Sequence, residues 1–333
     1  SMPSFPHALI DLARAYTRKL QALQPVRGVV SNTVQELAAA GDSLWVGPLL
    51  TVYAEGEGLF APDDDVVQRR LGEESNFVLS LATRSTAGRP TVWAGLAFDA
   101  GGNSLGGGGF LVSNDGGQSF VGRSVPLDEP SDTTVAYGAS RLSAVPITQE
   151  AGSAPRDIAL AGPDTVWVAG RRSGLRRSVD GGETWTRTVL PPDTLSRIKP
   201  SASYDFPLAP PQGDGRGFQN HELLSVLVDE TGTVWAGTLA CLNRSMPDDV
   251  GPNGDRAWRL FRPDGTPGSL TGQLVLGLAE QPRPNGRNPI WMATLRVQTE
   301  GMVQRSGLTM TPNGGTTFRQ PLIGEQVNDV AAR

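Results

Sequence analysis

One cysteine, Cys241, and two histidines, His7 and His221, are all that 333 residues contain of these types. No disulfide can form within the chain, and a zinc or haem centre built from Cys and His has no supply of ligands, so no metal or cofactor is expected. Lysine is equally scarce: Lys19 and Lys199 are the only ones among 29 basic residues, which makes the positive charge almost entirely arginine. Against 34 acidic residues this leaves a net charge of -5, without the basic footprint of a nucleic-acid-binding protein. No apolar run approaches the roughly 18 residues of a membrane span, so no membrane insertion is expected. No signal peptide is visible, but Ser1-Met2 reads as a cloning remnant, so a natural leader is not excluded.

Glycine and proline, by contrast, number 41 and 26, which favours many turns over long helices. A β-branched or leucine residue followed by Trp and a small or apolar run recurs at Trp45, Trp93, Trp167, Trp235 and Trp291. Each such segment follows another short apolar run and precedes a glycine-rich turn with two further runs. Four short β-type runs per unit, divided by turn residues, predict four-stranded antiparallel meanders. Several such units in series predict an all-β protein, a β-propeller with at least five blades over residues 29–333.

Between the third and fourth runs stands "SVDGGETW", residues 178–185, with variants "SNDGGQSF" at 113–120 and "TPNGGTTF" at 311–318. The Gly-Gly pair supplies positive φ for a tight hairpin, and the preceding acid can accept hydrogen bonds from turn amides. Ser113, Asp115, Gly117 and Phe120 form one copy, and Ser178, Asp180, Gly182 and Trp185 the fullest. Thr311, Asn313, Gly315 and Phe318 form the third, where Asn keeps the acceptor but cannot do carboxylate acid-base work. The pattern resembles the Asp-box, or BNR repeat, family of propellers, in the broad superfamily of sialidases and sortilin-like receptors. That resemblance implies a structural role for all three copies, a ligand site near the central channel and an extracytoplasmic, periplasmic or secreted location.

Function is therefore expected at the inner strands and the loops of one face. Aligning the inner strands on their apolar positions lines up Glu36, Ser80, Ala159, Ser225, Gly277 and Asp329. Just upstream stand Asn32, Asn76, Arg156, His221, Glu222, Gln273 and Gln326, either a polar ring at the channel mouth or simply polar residues at exposed strand ends. Two long insertions, residues 124–156 and 191–221, leave from the same face. They are either loose linkers or binding loops. Tyr204, Asp205, Phe206, Arg216 and Phe218 offer contacts for a glycan or peptide.

Two function classes follow. One is a non-catalytic binding or assembly propeller for a glycan, peptide or protein partner. The other is a glycoside hydrolase, sialidase- or xyloglucanase-like, using Glu36, Glu222 or Asp329 across the channel. Against a sialidase, the Phe/Tyr-Arg-Ile-Pro signature is missing. "GGNSLGGGG" at 101–109 lacks the Lys and helix of a phosphate loop, and "PDDDVV" at 62–67 lacks the alternating ligands of a calcium loop.

At the amino end, Leu9, Leu12, Ala13, Tyr16, Leu20 and Leu23 are spaced by threes and fours, which predicts an amphipathic helix within a lead-in of residues 1–28. At the other end, "VNDVAAR" at 327–333 reads as the first strand of a sixth blade, with further blades or domains expected beyond Arg333.

Overall fold

Runs of apolar and β-branched residues cut by glycine turns fold here into consecutive antiparallel sheets. The computed structural model describes residues 34–40, 43–48, 53–54, 77–84, 90–101, 104–117, 119–211, 217–297 and 305–331. The expected amino-terminal helix lies outside them. The first sheet comprises β1 (Val34–Ala40), β2 (Ser43–Pro48) and β3 (Tyr53–Ala54). The second comprises β4 (Phe77–Arg84), β5 (Thr91–Asp99), β6 (Leu105–Ser113) and β7 (Val121–Arg123). A hairpin of β8 (Thr134–Tyr137) and β9 (Ser140–Ser143) follows. The third sheet comprises β10 (Pro155–Leu160), β11 (Val166–Gly170), β12 (Gly174–Ser178) and β13 (Thr186–Thr188). The fourth comprises β15 (Leu223–Val228), β16 (Val234–Thr238), β17 (Leu242–Val250) and β18 (Arg256–Phe261), and β14 (Arg197–Ile198) joins its outer edge. The fifth comprises β19 (Leu274–Glu280), β20 (Ile290–Leu295), β21 (Gly307–Thr311) and β22 (Arg319–Ile323).

The first strand of each sheet packs beside the first strand of the next: β1 by β4, β4 by β10, β10 by β15 and β15 by β19. Sheets related in this way fan about a common axis, the arrangement of a β-propeller. The five repeated tryptophans occupy one register of the second strands, opposite Ala38, Ala82, Ala159, Leu227 and Ala279.

Two residues before that register every first strand carries a bulge, ending at Glu36, Ser80, Asp157, Ser225 and Gly277. The alignment that placed Ala159 in this series is therefore displaced by two, and Asp157 belongs there. Side chains alternate with period two along a strand, so a two-residue slip leaves the apolar pattern unchanged. The bulge residue reaches across to the next sheet. Ser80 Oγ donates to Pro155 O at 2.7 Å, Ser225 Oγ donates to Val275 O at 3.0 Å, and Asp157 Oδ2 accepts from Val226 N at 2.8 Å. Opposite the bulge stands the third residue of each Trp-x-Gly/Ala triplet, Gly47, Gly95, Ala169, Gly237 or Ala293. A Cβ on Gly95 or Gly237 would collide with the serine hydroxyl that makes the clasp.

At the outer end, the repeated turns close in the same way three times. Gly117 N donates to Ser113 Oγ at 2.7 Å, Gly182 N to Ser178 Oγ at 2.8 Å and Gly315 N to Thr311 Oγ1 at 2.7 Å. Asp115, Asp180 and Asn313 each accept from a backbone N–H four residues on, at 3.0, 2.9 and 2.9 Å. The motif aromatics reach the preceding sheet: Trp185 stacks on Phe110 at 5.7 Å and meets Trp93 edge-on at 6.4 Å, and Phe318 meets Phe261 at 5.1 Å.

In their described residues the two insertions are packed structure and not loose linkers. Leu208 N donates to Ser143 O at 2.7 Å, Tyr204 N donates to Ser140 Oγ at 2.8 Å, and Tyr137 Oη donates to Arg256 O at 3.0 Å. Tyr137, Leu142, Ile198, Phe206 and Leu208 join Trp167 and Trp258 in one buried cluster. Residues 327–331 form no ladder, but Asp329 lies against Gly277, where an added Cβ would stand 2.6 Å from its Oδ1.

Gly182 (φ +85°) and Gly181 (φ +69°) both need positive φ, but only a Cβ on Gly182 would press on Trp93, at 2.5 Å from Cη2. Gly182→Ala is therefore expected to destabilise by about 1–3 kcal/mol more than Gly181→Ala, read from urea midpoints.

Candidate functional site

In an antiparallel meander the start of the first strand, the turn between the second and third strands and the link from the preceding sheet all fall at one end. At that end, between the second, third and fourth sheets, lies a cavity of about 320 Å³. Arg156 comes from the start of β10, Arg171 and Arg172 from the turn before β12, and Glu222 from the residue before β15. Ser104 and Pro211 line it as well. Gly152, with φ +81°, makes room for the stem of Arg172, since a Cβ there would stand 2.5 Å from Cδ.

Glu222 faces Arg171 at 3.7 Å, with its own side chain 14% exposed. Burial lifts its carboxyl above the usual range, against the pull of Arg171 and Arg172. Burial also lowers the Arg156 guanidinium, as does the neighbouring Arg171. Arg156 Nε is buried without a hydrogen-bond partner in the protein. Three guanidinium groups are thus answered by one carboxylate in the cavity wall, and the arrangement can grip a carboxylate or another oxyanion.

Of the residues singled out from the sequence, Arg156 and Glu222 are brought together here. His221 is buried, with Nδ1 3.0 Å from Ala209 O and Nε2 3.1 Å from Leu190 O, so both ring nitrogens face backbone carbonyls. Burial presses its pKa down to about 4, partly offset by those carbonyls. Its ring also packs on Phe218 and Phe206, which makes it a pin for the second insertion. Tyr204 packs between Tyr137 and Phe206, and its hydroxyl accepts from Lys199 N at 3.0 Å. Gln273 donates through Nε2 to Leu239 O at 3.0 Å. Asp329 is exposed beside Gly277. Asn32, Asn76, Arg216 and the side chain of Glu36 lie outside the described residues.

Sequence reasoning passed over Arg171, Arg172 and Asp157. The dibasic "GRRSG" is a turn signal whose place at this end follows only from strand order. Asp157 was hidden by the two-residue slip. It is part-buried, and its carboxylate accepts from the amides of Ile158 and Val226. Burial raises its pKa to about 7; the Val226 and Ile158 amides oppose this, and Asp329 adds to it. Among the described residues no group of three or more His, Cys, Asp or Glu is placed to hold a metal ion.

No family model matches the chain, and no curated protein matches it. Similar solved structures include the extracellular domain of a hybrid two-component system from B. thetaiotaomicron, at 13% identity and TM-score 0.49, covering 88% of this chain and 29% of that one. The GH74 enzyme of Niastella koreensis is 13% identical at TM-score 0.40, over 87% of this chain and 45% of its own. YCF48 bound to D1 peptide is 15% identical at TM-score 0.32, over 86% and 80%. The chain spans under a third of the length of the first of these.

A carboxylic acid with a pKa near 7 in the fold and ~3.9 when unfolded binds more protons folded than unfolded between those limits. Its contribution to stability is therefore greatest below about pH 4 and declines as pH rises to about 7. Asp157→Asn is expected to remove this decline, so that the stability difference between variant and parent shifts in the variant's favour from pH 5 to pH 8. Urea unfolding at the two pH values checks this, and the His221 contribution, which has the opposite slope, cancels in the difference.

Proposed function

We propose that the chain is a non-catalytic, extracytoplasmic β-propeller of the Asp-box kind, its five sheets serving as blades, that captures a carboxylate-bearing glycan or peptide at the cleft of Arg156, Arg171 and Arg172. The observation that carries this reading is the excess of arginine in that cleft, three against Glu222 alone, within a chain of net charge -5. A carboxylate entering it would gain charge-assisted hydrogen bonds and offset the mutual repulsion that lowers Arg156. The hydrogen-bonded Ser/Thr-x-Asp/Asn-x-Gly turns support the Asp-box reading, and the family resemblance supports the extracytoplasmic location.

A glycoside hydrolase is the second reading, favoured by one observation. Asp157, with its pKa near 7, has Asp329 as a neighbouring acid, and a raised carboxylic acid beside a second carboxyl group suits general acid catalysis.

One experiment separates the two. A glycan and acidic-peptide array, run with a panel of glycosidase substrates, is applied to the parent, to Arg171→Ala/Arg172→Ala and to Asp157→Asn. Binding without turnover, weakened about tenfold or more in the double arginine variant, bears out the binding module. Turnover that Asp157→Asn abolishes assigns the hydrolase, and binding untouched by the arginine changes overturns the proposed cleft.

A further inference from the structure

A second cavity, of about 360 Å³, lies on the outer side of the third and fourth sheets where the first insertion packs against them, and shares no residue with the cleft above. Its floor is built around Asp128 of the first insertion. Arg176 Nη1 donates to Asp128 Oδ1 at 2.6 Å, Ile147 N donates to Oδ2 at 2.8 Å, and Arg187 stands 3.6 Å from Oδ2. Burial raises the Asp128 pKa, but its bonds to Arg176 and Ile147 outweigh that and hold it below the usual range. The other two acids of the wall are engaged too: Asp132 accepts from Glu129 N at 2.9 Å and Asp255 from Gly138 N at 2.9 Å.

The donors of the same wall are not used up. Arg176 is 3% exposed, yet its Nη2 has no partner within the protein. Trp258 Nε1, on a fully buried residue, has none either, nor have Trp185 Nε1 and Arg177 Nε. All four residues line this cavity, Arg176 and Trp185 line the cavity beside it as well, and the four orphaned atoms are N–H donors lying just behind the surface of the wall. Buried donors left without acceptors are strongly disfavoured unless a water or ligand supplies them.

Trp185 makes the pattern specific. The equivalent position of the other two motif copies is Phe120 or Phe318, and Phe318 makes the same kind of contact with the preceding sheet that Trp185 makes. Phe thus serves the contact in another copy, and what Trp adds at 185 is a second ring contact, with Trp93, and an indole N–H with no protein acceptor.

We infer that this outer cavity is a binding site for a small organic oxyanion, a carboxylate about the size of a monosaccharide acid or an amino acid, held by the guanidinium of Arg176 and the indole N–H groups of Trp185 and Trp258. Four arginines against three aspartates in the wall, Arg176, Arg177, Arg187 and Arg256 against Asp128, Asp132 and Asp255, leave a positive excess to receive the anion. The flat guanidinium fork can take a carboxylate as a bidentate partner.

The test is a titration of the full chain with D-glucuronate, L-glutamate and inorganic sulfate, followed through the tryptophan indole N–H resonances in nitrogen-15 NMR spectra. Trp185→Phe and Trp258→Phe assign the two signals. The expected result is a saturable downfield shift of both indoles with a carboxylate probe. Trp185→Phe should keep the melting temperature and weaken binding about fivefold or more, and Arg177→Gln should weaken it about threefold or more. Arg171→Ala/Arg172→Ala should leave it unchanged, so failure of the inner cleft is read separately from failure of this one. Response to glucuronate alone assigns a sugar acid, and response to both carboxylates assigns a general carboxylate site. No shift of either indole with any probe up to about 20 mM overturns the inference, as does a response to sulfate only or one undiminished in Trp185→Phe.

Discussion

Among the described residues no ladder of backbone hydrogen bonds passes directly from one four-stranded sheet to the next, so neighbouring sheets are fastened by side chains and by the segments that link them. A fan of sheets held in this way needs a fastening near the axis and another at the rim, because a single contact leaves a hinge. The axial fastening is the bulge residue of the first strand. A bulge re-aims one side chain out of the alternating pattern, and here it points Ser80, Asp157 and Ser225 at the backbone of the following sheet. The rim fastening, at Trp185 and Phe318, is the aromatic that follows the Gly-Gly turn, laid on the ring of the preceding sheet. The recurring Trp-x-Gly/Ala triplet belongs to the first fastening as much as to its own strand, since the small residue is what lets the bulge side chain curl over.

The insertions repeat the logic on a larger scale. The described residues of 124–156 and 191–221 fold on one another and on the third and fourth sheets, with Asp128 tying the first insertion to two arginines and His221 tying the second to two carbonyls. Neither tie is a surface ion pair of the weak kind. Asp128 is nearly enclosed, and His221 is buried. Such anchoring turns what would be mobile loops into walls, and both cavities described above are bounded by them. Preformed walls lower the ordering entropy that binding must overcome.

Much of this architecture was legible in the sequence, because its signals are local. The order of four runs, the place of the Gly-Gly turns and the tryptophan register depend on a few neighbouring residues. The bulge was not legible: it adds one residue to a strand whose apolar alternation has period two, so Ala159 and Asp157 look interchangeable until the pairing is seen. Nor was the fate of His221 and Tyr204, which as isolated polar residues look ready for a ligand. Their partners, Ala209, Leu190 and Tyr137, sit in segments whose meeting is decided by tertiary packing. Arg171 and Arg172 were hidden in another way, since a dibasic turn is ordinary until strand order sets it beside Arg156 and Glu222.

Why an acidic chain should gather arginine around the outer cavity follows in part from its aromatic rings. Aromatic rings line the junctions between sheets, and a ring face attracts cations and repels carboxylates. Trp167 lies under two guanidiniums, Arg177 at 5.5 Å and Arg256 at 5.7 Å, and Trp235 and Phe261 each carry one more, Arg244 at 5.7 Å and Arg259 at 4.8 Å. Arginine is the cation suited to this place, because its planar head stacks and is weakly hydrated, whereas an ammonium holds its water. Of these four contacts Arg256 on Trp167 crosses from the fourth sheet to the third, and the other three lie within one sheet. Nearby acids are engaged by guanidinium groups, as Asp128 is, or by backbone amides, as Asp132, Asp157 and Asp255 are, which leaves the unpartnered N–H groups without a protein acceptor.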